Sequence, residues 1–243
     1  RLVKMGDLMK DYNVGDLVSE FLHQIDVKDV FGVVSVHNIP MLDAIGRRNH
    51  IRMIPARGEM GAGHMADGYA RASNGLGVVF TSTGPGAANV FSSIVSAWQD
   101  SSKIIFITGQ CQKKDSTLYN NLNYLRSLGP AEFDIVTPCK SITKYTNLVP
   151  SFKEGFHIIE EALTAMSKDR TGPVLLDIPL DVQAEKISIL DLEKLVTTQR
   201  NSIKYKYYLN QSNTYKDKST RFKSISFKLK HKLSNSICPL FLL

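Results

Sequence analysis

The sequence predicts an α/β fold, in which helices cover both faces of a parallel sheet of about six strands. Short apolar runs alternate along the chain with segments in which apolar residues recur at helical spacing, and this alternation is typical of parallel sheets. The runs are apolar throughout rather than at every second position, which indicates strands that are buried on both faces. We place this fold between about Tyr12 and Val182.

The strands are predicted from β-branched and apolar runs that are bounded by turn-forming residues. They lie at residues 30–34, 52–55, 77–81, 103–108, 140–145 and 174–179. The last of them, with the sequence VLLDIP, directly follows Gly172-Pro173. The connections between these runs are long enough for the helices that parallel strands require.

The helices are predicted from apolar residues that recur every three to four positions. They lie at residues 16–25, 40–45, 59–72, 87–98 and 152–166. Asp16 is the predicted N-cap of the first helix, and Pro40 lies in the first turn of the second, where proline is tolerated. The polar residues 109–130 show no period and are predicted to form a loop.

The positive charge of the chain is concentrated in a C-terminal tail, residues 196–243. The formal net charge is +7, but residues 202–243 alone carry eight Lys and one Arg against Asp217. The rest of the chain is therefore nearly neutral, and its charge does not predict nucleic-acid binding. Residues 202–243 contain no Gly, Ala or Val and show no period. We expect the tail to be disordered or non-native; a basic arm for RNA or anionic lipid is the alternative.

Cysteine usage indicates a reducing compartment, and the hydropathy of the chain indicates neither a membrane span nor a signal peptide. The cysteines, Cys111, Cys139 and Cys238, lack the spacing of a metal site and suit reduced thiols. No apolar run approaches the roughly 18 residues of a membrane span, and the first residues lack the apolar region of a signal peptide. We therefore expect a cytoplasmic protein with no membrane partner. The chain begins with Arg1 rather than Met, so organellar import stays open as the alternative.

Two glycine-rich turns surround one acidic side chain, Glu59. Glycines precede and follow it at positions 58 and 61, and Gly84-Pro85-Gly86 comes two residues after the end of the strand 77–81. Because ligands of α/β sheets bind where strands end, these turns are the candidate site. A glycine turn lets a flat ligand approach the backbone; a plain strand-to-helix connection is the alternative.

The stretch from Gly58 to Gln110 resembles the N-terminal pyrimidine-binding domain of thiamine-diphosphate-dependent enzymes, and acetolactate-synthase-like enzymes in particular. The resemblance is carried by GEMGAGHMADGYAR, the following GLGVV, TSTGPGAAN and the strand that ends in TGQ. KSITKY and GPVLLDIPLDVQ match the end of the family's domain. The resemblance covers residues 12–183, and we predict a domain over residues 12–190.

The resemblance implies a role for each matching residue. Glu59 matches the acid that forms a hydrogen bond with N1′ of the cofactor's aminopyrimidine, and is the candidate catalytic residue. The candidate cofactor-binding residues shape the pyrimidine pocket or reach toward the cofactor and substrate: Ser82, Pro85, Asn89, Gln110, Val34 and Ser35. The last two stand where many relatives have Pro-Gly.

The sequence departs from the family pattern around the acid. Gly58-Glu59-Met60 replaces the frequent His-Glu-Gln. Arg57 is a candidate for binding a substrate carboxylate, with a surface charge as the alternative. His37 and His64 are interpreted as loop and helix-face residues. These departures leave the acid in place but leave the product open.

The family's enzymes hold Mg²⁺ and the diphosphate in a separate C-terminal domain, with a Gly-Asp-Gly motif that this chain does not contain. We therefore predict no metal ligands here, a thiamine diphosphate site shared with another domain, and Mg²⁺ only from a missing domain. The chain is expected to be a fragment that is inactive alone and to form a dimer or tetramer in its complete form.

The implied reaction is decarboxylation of a 2-oxo acid with carboligation, which is lyase or transferase chemistry. Two alternatives within the family stay open. One is a stand-alone subunit that pairs in trans with a diphosphate-binding subunit. The other is a 2-oxo acid decarboxylase or aldehyde lyase.

Overall fold

The computed structural model describes residues 12–47, 50–73 and 75–188. The predicted tail, the residue Cys238 within it and the last two positions of the predicted domain lie outside the described residues. No helix within the described ranges is long and apolar enough to cross a membrane.

The fold is built on a six-stranded sheet in which all strands run parallel, and this confirms the predicted α/β class. The strands of the described chain are β1 (Tyr12–Asn13), β2 (Asp29–Gly32), β3 (Arg52–Pro55), β4 (Gly77–Thr81), β5 (Ile104–Gln110), β6 (Tyr145–Leu148), β7 (Val174–Pro179) and β8 (Lys186–Ile187). The order in the sheet is β3-β2-β4-β5-β7-β6, and β1 pairs with β8 as a small antiparallel ribbon.

Helices connect the strands and cover both faces. They are α1 (Val14–Gln24), α2 (Ile39–Arg47), α3 (Glu59–Ser73), α4 (Pro85–Ala88), α5 (Phe91–Asp100), α6 (Val136–Cys139), α7 (Phe152–Ser167) and α8 (Leu180–Gln183). Two 3-10 turns lie at Val36–Asn38 and Lys113–Asp115.

The central strands bury side chains on both faces. On β4, Val78 and Phe80 pack into the cluster that contains the apolar faces of α1, α2 and α7. Val79 points the other way, into the cluster formed with α3 and α5. Every residue of β4, β5 and β7 is buried. At roughly 1.5–3 kcal/mol for each large apolar side chain, these two clusters are the main source of stability.

The first helix begins earlier than predicted, because Asp16 is not its N-cap. Asn13 is the N-cap: its Oδ1 accepts a hydrogen bond from the Asp16 amide at 3.1 Å. The Asp16 carboxylate in turn accepts from the Asn13 amide at 3.0 Å. This reciprocal capping box satisfies two backbone donors and places Asp16 at the third helical position.

Two further predictions are wrong in part. The predicted helix 87–98 is two helices: the chain leaves α4 at Asn89, and α5 begins at Phe91. The predicted strand 140–145 is a series of turns and bends through Lys144. Within it, the Thr143 hydroxyl donates to the Cys139 carbonyl at 2.8 Å. Strand β6 begins only at Tyr145, because the preceding residues continue the turn after α6.

Candidate functional site

The strand order creates a crevice at the carboxyl edge of the sheet, between β2 and β4. After β2 the chain crosses to β3 on one side, whereas β4 is followed by β5 on the other side. Neighbouring strands whose connections leave in opposite directions open a crevice at their carboxyl ends, where α/β proteins bind ligands. Val34 and Ser35 follow β2, and the turn 82–86 follows β4, so these two groups of candidate cofactor-binding residues lie at this crevice.

Glu59 lies at the first position of α3, beside the turn that follows β4. The residue is half-buried, and its carboxylate accepts a hydrogen bond from Asn89 Nδ2 at 3.2 Å. The helix N-terminus also favours a negative charge at this position. The structure therefore brings together two predicted site residues that are 30 positions apart in the sequence.

Gly86 lies directly against the Glu59 carboxylate. A Cβ at this glycine would lie 2.8 Å from Glu59 Oε1 and 2.9 Å from Ser82 Cβ. A side chain at this position would therefore push the acid away. The absence of a side chain leaves bare backbone beside a carboxylate, which is a surface that a flat ring can approach.

The turn that carries Gly86 is fixed by its neighbour Gly84. Gly84 has φ +59° and ψ −130°, a conformation that L side chains rarely adopt. A Cβ there would also lie 2.5 Å from the Ala131 carbonyl oxygen. The adjacent Thr83 hydroxyl contacts the same oxygen at 3.2 Å. The turn is thus held in place by residues from the long segment after β5.

Gln110, the last residue of β5, supports the contact between the turn 82–86 and the segment after β5. Its Nε2 donates to the Phe133 carbonyl at 2.7 Å and to Asp177 Oδ2 at 2.9 Å. Its Oε1 accepts from the Thr83 hydroxyl and the Cys111 amide, both at 2.9 Å. These bonds use both N–H donors and both lone pairs of the amide. The structure therefore places Gln110 behind the turn, and its predicted reach toward the cofactor stays a prediction.

Asp177 is a buried carboxyl group that was predicted from the sequence only as part of a strand. It is completely buried, and the Thr108 hydroxyl donates to its Oδ1 at 2.6 Å. Burial raises the pKa of Asp177 to about 7, although hydrogen bonds from Thr108 and Gln110 oppose the change. The signal that could have identified this residue is the single acid within the otherwise apolar run VLLDIP.

Glu132 orders the segment between β5 and α6, which the sequence predicted only as a patternless loop. Its Oε1 accepts bonds from Ser116 and Thr117, and its Oε2 accepts from the Leu128 amide at 2.7 Å. Burial alone would raise the pKa of Glu132, but these hydrogen bonds outweigh it and lower the pKa. One carboxylate thus fixes the loop that reaches back to the turn 82–86.

The loop after β2 presents Val34 to solvent, with 63% of the residue exposed. Ser35 caps the following 3-10 turn, since its Oγ accepts from the His37 amide at 3.2 Å. The His37 carbonyl accepts a hydrogen bond from Gln183 Nε2 at 2.7 Å, and Gly109 gives it room by lacking a side chain. His37 therefore fixes the loop through its backbone, while burial lowers the pKa of its side chain.

Arg57 lies between β3 and Glu59, and its side chain is exposed. Within residues 12–47, 50–73 and 75–188 it forms no ion pair, and its role as a substrate ligand stays a prediction. His64 is also exposed, on α3. No group of three or more His, Cys, Asp or Glu side chains that could hold a metal ion occurs in the described part of the chain.

Large apolar side chains are exposed in the same segments that form the crevice. They come from the loop after β2, the start of α3 and the segment ordered by Glu132, namely Val34, Val36, Met60, Leu118 and Tyr124. Tyr124 is 80% exposed. Several exposed apolar residues beside a crevice are typical of a surface that another protein surface covers.

Comparison with known proteins identifies one family. Residues 12–128 match the sequence model of the thiamine pyrophosphate enzyme, N-terminal TPP binding domain. The mitochondrial acetolactate synthase catalytic subunit of Saccharomyces cerevisiae is 35% identical over 173 residues, which is 70% of this chain and 23% of that protein.

Relatives from plants and cyanobacteria are similar to the same extent. The chloroplastic acetolactate synthase of Arabidopsis thaliana is 34% identical over 70% of this chain and 24% of that protein. The acetolactate synthase of Arthrospira platensis is 34% identical over 71% of this chain and 29% of that protein. The chain spans about a quarter of the length of these curated relatives.

Proposed function

Since residues 12–128 belong to the family of thiamine pyrophosphate enzyme N-terminal TPP binding domains, we propose that the crevice is the pyrimidine half of an active site. The chain is a thiamine-diphosphate-binding domain of the acetolactate-synthase-like kind. The proposed reaction of the complete enzyme is decarboxylation of a 2-oxo acid followed by carboligation. The observation that carries the proposal is the Glu59 carboxylate, held by Asn89 and bordered by the bare backbone of Gly86.

The residues of the crevice fit the aminopyrimidine of thiamine diphosphate. A pyrimidine is flat, and Gly86 lacks the Cβ that would fill the space beside the acid. Glu59 would hold a proton at the ring nitrogen N1′, and Asn89 would keep its carboxyl group in position. When bound, the cofactor would supply a thiazolium ring whose C2 adds to the substrate carbonyl, and the ring would accept the electron pair that remains when CO₂ leaves.

The other predicted residues have distinct proposed tasks. Ser82 and Pro85 form the wall after β4, and Val34 and Ser35 form the wall after β2. Gln110 positions the first of these walls through Thr83, with a contact to the cofactor as its predicted additional role. Each task follows from the strand end at which the residue lies.

Arg57 is the proposed contact for the substrate carboxylate. It is exposed close to Glu59 and has no acidic partner among the described residues. A guanidinium can bind a carboxylate through two parallel hydrogen bonds, which would orient a 2-oxo acid. The substrate itself is proposed only as a class.

We place the diphosphate and Mg²⁺ on a different domain. A hard cation needs several converging oxygen ligands, and the described residues gather no such group. The exposed apolar residues around the crevice support a cover formed by that domain, in a homo-dimer or tetramer or on a separate subunit that pairs in trans. The chain alone is then expected to be inactive.

We propose that residues 12–190 form one domain, beyond the 12–128 of the family match. Strands β6 and β7 belong to the same sheet as β5, and Asp177 on β7 bonds to Gln110. For the location, the fungal and plant relatives are named mitochondrial or chloroplastic. These names favour the organellar alternative, and cell fractionation would distinguish it from the cytoplasm.

A domain exchange tests the proposed function. Residues 12–188 would replace the matching segment of the Saccharomyces cerevisiae relative, and pyruvate consumption and products would be measured with thiamine diphosphate and Mg²⁺. We expect activity in this chimera and a loss of about 10²–10⁴-fold in Glu59→Gln, since a positioned acid–base group contributes this much. The matched control is Asp169→Asn, which removes a surface acid from the opposite edge of the sheet.

Cooperative unfolding of each chimera must first show that it is folded. A folded chimera in which Glu59→Gln retains the full rate would contradict the role of the acid. A folded chimera that forms only the aldehyde, without carboligation, would favour the decarboxylase alternative.

A further inference from the structure

A second cleft lies at the opposite, amino-terminal edge of the sheet. It encloses about 310 Å³ and is lined by Trp98, Gln99, Lys144, Arg170 and Thr171. The first two residues lie in the last turn of α5, Lys144 directly precedes β6, and Arg170 and Thr171 lie in the connection that leads into β7. The cleft is therefore separated from Glu59 by the length of the strands, and the proposed active site does not use it.

Two cations line this cleft, and both are oriented by backbone and hydroxyl oxygens. Arg170 donates from Nε to Ser101 Oγ and from Nη2 to the Gln99 carbonyl, both at 2.6 Å. Lys144 Nζ donates to the Lys168 carbonyl at 3.2 Å. A guanidinium has five N–H donors and an ammonium three, so each group keeps donors for a further partner.

No carboxylate of the described residues neutralises these two cations. Asp100, at the end of α5, is bonded to Arg71 at 2.7 Å. Asp169 precedes Arg170 in a left-handed turn with φ +54° and forms no ion pair with the described residues. Two like charges that face one cavity without an acid repel each other, and an anion between them removes that cost.

The cleft also has a flat apolar wall, formed by the indole of Trp98. The residue is 38% exposed, so part of its ring is open to solvent. Gly172 lies beside both residues: a Cβ there would be crowded at 3.0 Å from Lys144 Cγ and in ordinary contact at 3.6 Å from Trp98 Cε3. Exposed tryptophan rings bind planar ligands by stacking.

We propose that this cleft binds a small planar organic anion. Its ring stacks on Trp98, and its phosphate or carboxylate accepts hydrogen bonds from Lys144 and Arg170. The volume lies at the lower end of the range for small-molecule sites, roughly 300–1,000 Å³, which suits a ligand with one or two rings. The site is independent of the proposed active site.

Trp98 is the only tryptophan of the chain, so its fluorescence reports on this cleft directly. The purified chain would be titrated with adenosine monophosphate, and separately with adenosine and with ribose 5-phosphate. We expect a saturable change with adenosine monophosphate and at least about tenfold weaker binding of either half, since each half lacks one of the two contacts. Equal affinity for adenosine would exclude a role of the cations, and equal affinity for ribose 5-phosphate a role of the ring.

Lysine variants distinguish this cleft from general charge attraction. Lys144→Gln removes one cation of the cleft, whereas Lys114→Gln removes an exposed lysine at the other edge of the sheet. We expect affinity for adenosine monophosphate to fall about tenfold or more only in Lys144→Gln, because a charge-assisted hydrogen bond is lost. Equal affinity in both variants, or no saturable signal in the wild-type chain, would overturn the proposal. Calorimetry of Trp98→Leu, with weaker binding expected, checks the stacking contact.

Discussion

The carboxyl and amino edges of the sheet are held together by different interactions. At the carboxyl edge, glycines remove side chains where Gly84 meets Ala131 and where Gly86 meets Glu59, and a buried amide and carboxyl network supports the turn. At the amino edge, Arg170 and the backbone close the end of α5 with charge-assisted bonds. The carboxyl edge therefore depends on close backbone contacts and buried polar side chains, whereas the amino edge depends on exposed positive charge.

The largest expected effect concerns the buried carboxyl group of the carboxyl edge. The pKa of Asp177 is about 7 in the folded chain, against an ordinary value of 3.8. The folded state therefore binds more protons between these values, and stability falls as pH rises from about 4 to about 7. The difference corresponds to roughly 4 kcal/mol. Asp177→Asn is expected to remove most of this pH dependence in urea unfolding.

The control for this measurement is Asp169→Asn at the amino edge. Asp169 is exposed and has φ +54°, a conformation that Asn also tolerates. We expect its pH profile to match that of the wild-type chain. The free energy of unfolding of the wild-type chain should fall between pH 4 and 7 more steeply than that of Asp177→Asn. Equal slopes would show that Asp177 does not hold a proton in this range.

An intermediate effect on stability is expected at Gly84, in the turn at the carboxyl edge. Gly84→Ala forces a side chain into a conformation with φ +59° and into the Ala131 carbonyl. Such strain costs about 1–3 kcal/mol, and thermal unfolding measures it. The control is Gly68→Ala in α3, which has nothing within 4 Å of the added Cβ and is expected to stabilise the helix by about 0.5–1 kcal/mol. Equal melting shifts in the two variants would contradict the role of the turn.

The smallest effect is expected at the amino edge. Arg170→Lys loses the geometry of two hydrogen bonds to Ser101 and Gln99, but these groups are exposed and can bond to water. We expect a loss of about 0.5–1 kcal/mol in urea unfolding. A loss as large as that of Gly84→Ala would show that the two edges do not differ in the proposed way.

The buried strands could be predicted from the sequence because their chemistry is local. The buried strands 77–81 and 174–179 agree with the structure at both ends, and so does the more exposed edge strand 52–55. Strand β6 was predicted to begin too early, because its sequence YTNL is not an apolar run. The start of α1 was missed because Asn13 and Asp16 cap each other.

The residues of the candidate site could be predicted only where they lie in a motif of the family. The contact between Glu59 and Asn89 joins two motifs that the family resemblance had singled out. The hydrogen bond of buried Asp177 to Gln110 and the bonds by which Glu132 orders the loop after β5 were not predicted. Both depend on partners that only the tertiary structure brings close. A lone acid in an apolar strand was the available signal for the first, and no local pattern marks the second.

The central claim is that this chain builds only the pyrimidine half of a thiamine diphosphate site. Isothermal titration of thiamine diphosphate, with and without Mg²⁺, into the wild-type chain and Glu59→Ala tests it most directly. We expect no tight, Mg²⁺-dependent binding to either protein, because the diphosphate lacks its anchor. Tight, Mg²⁺-dependent binding to the wild-type chain that is lost in Glu59→Ala would contradict it and would mean that this chain forms a complete cofactor site.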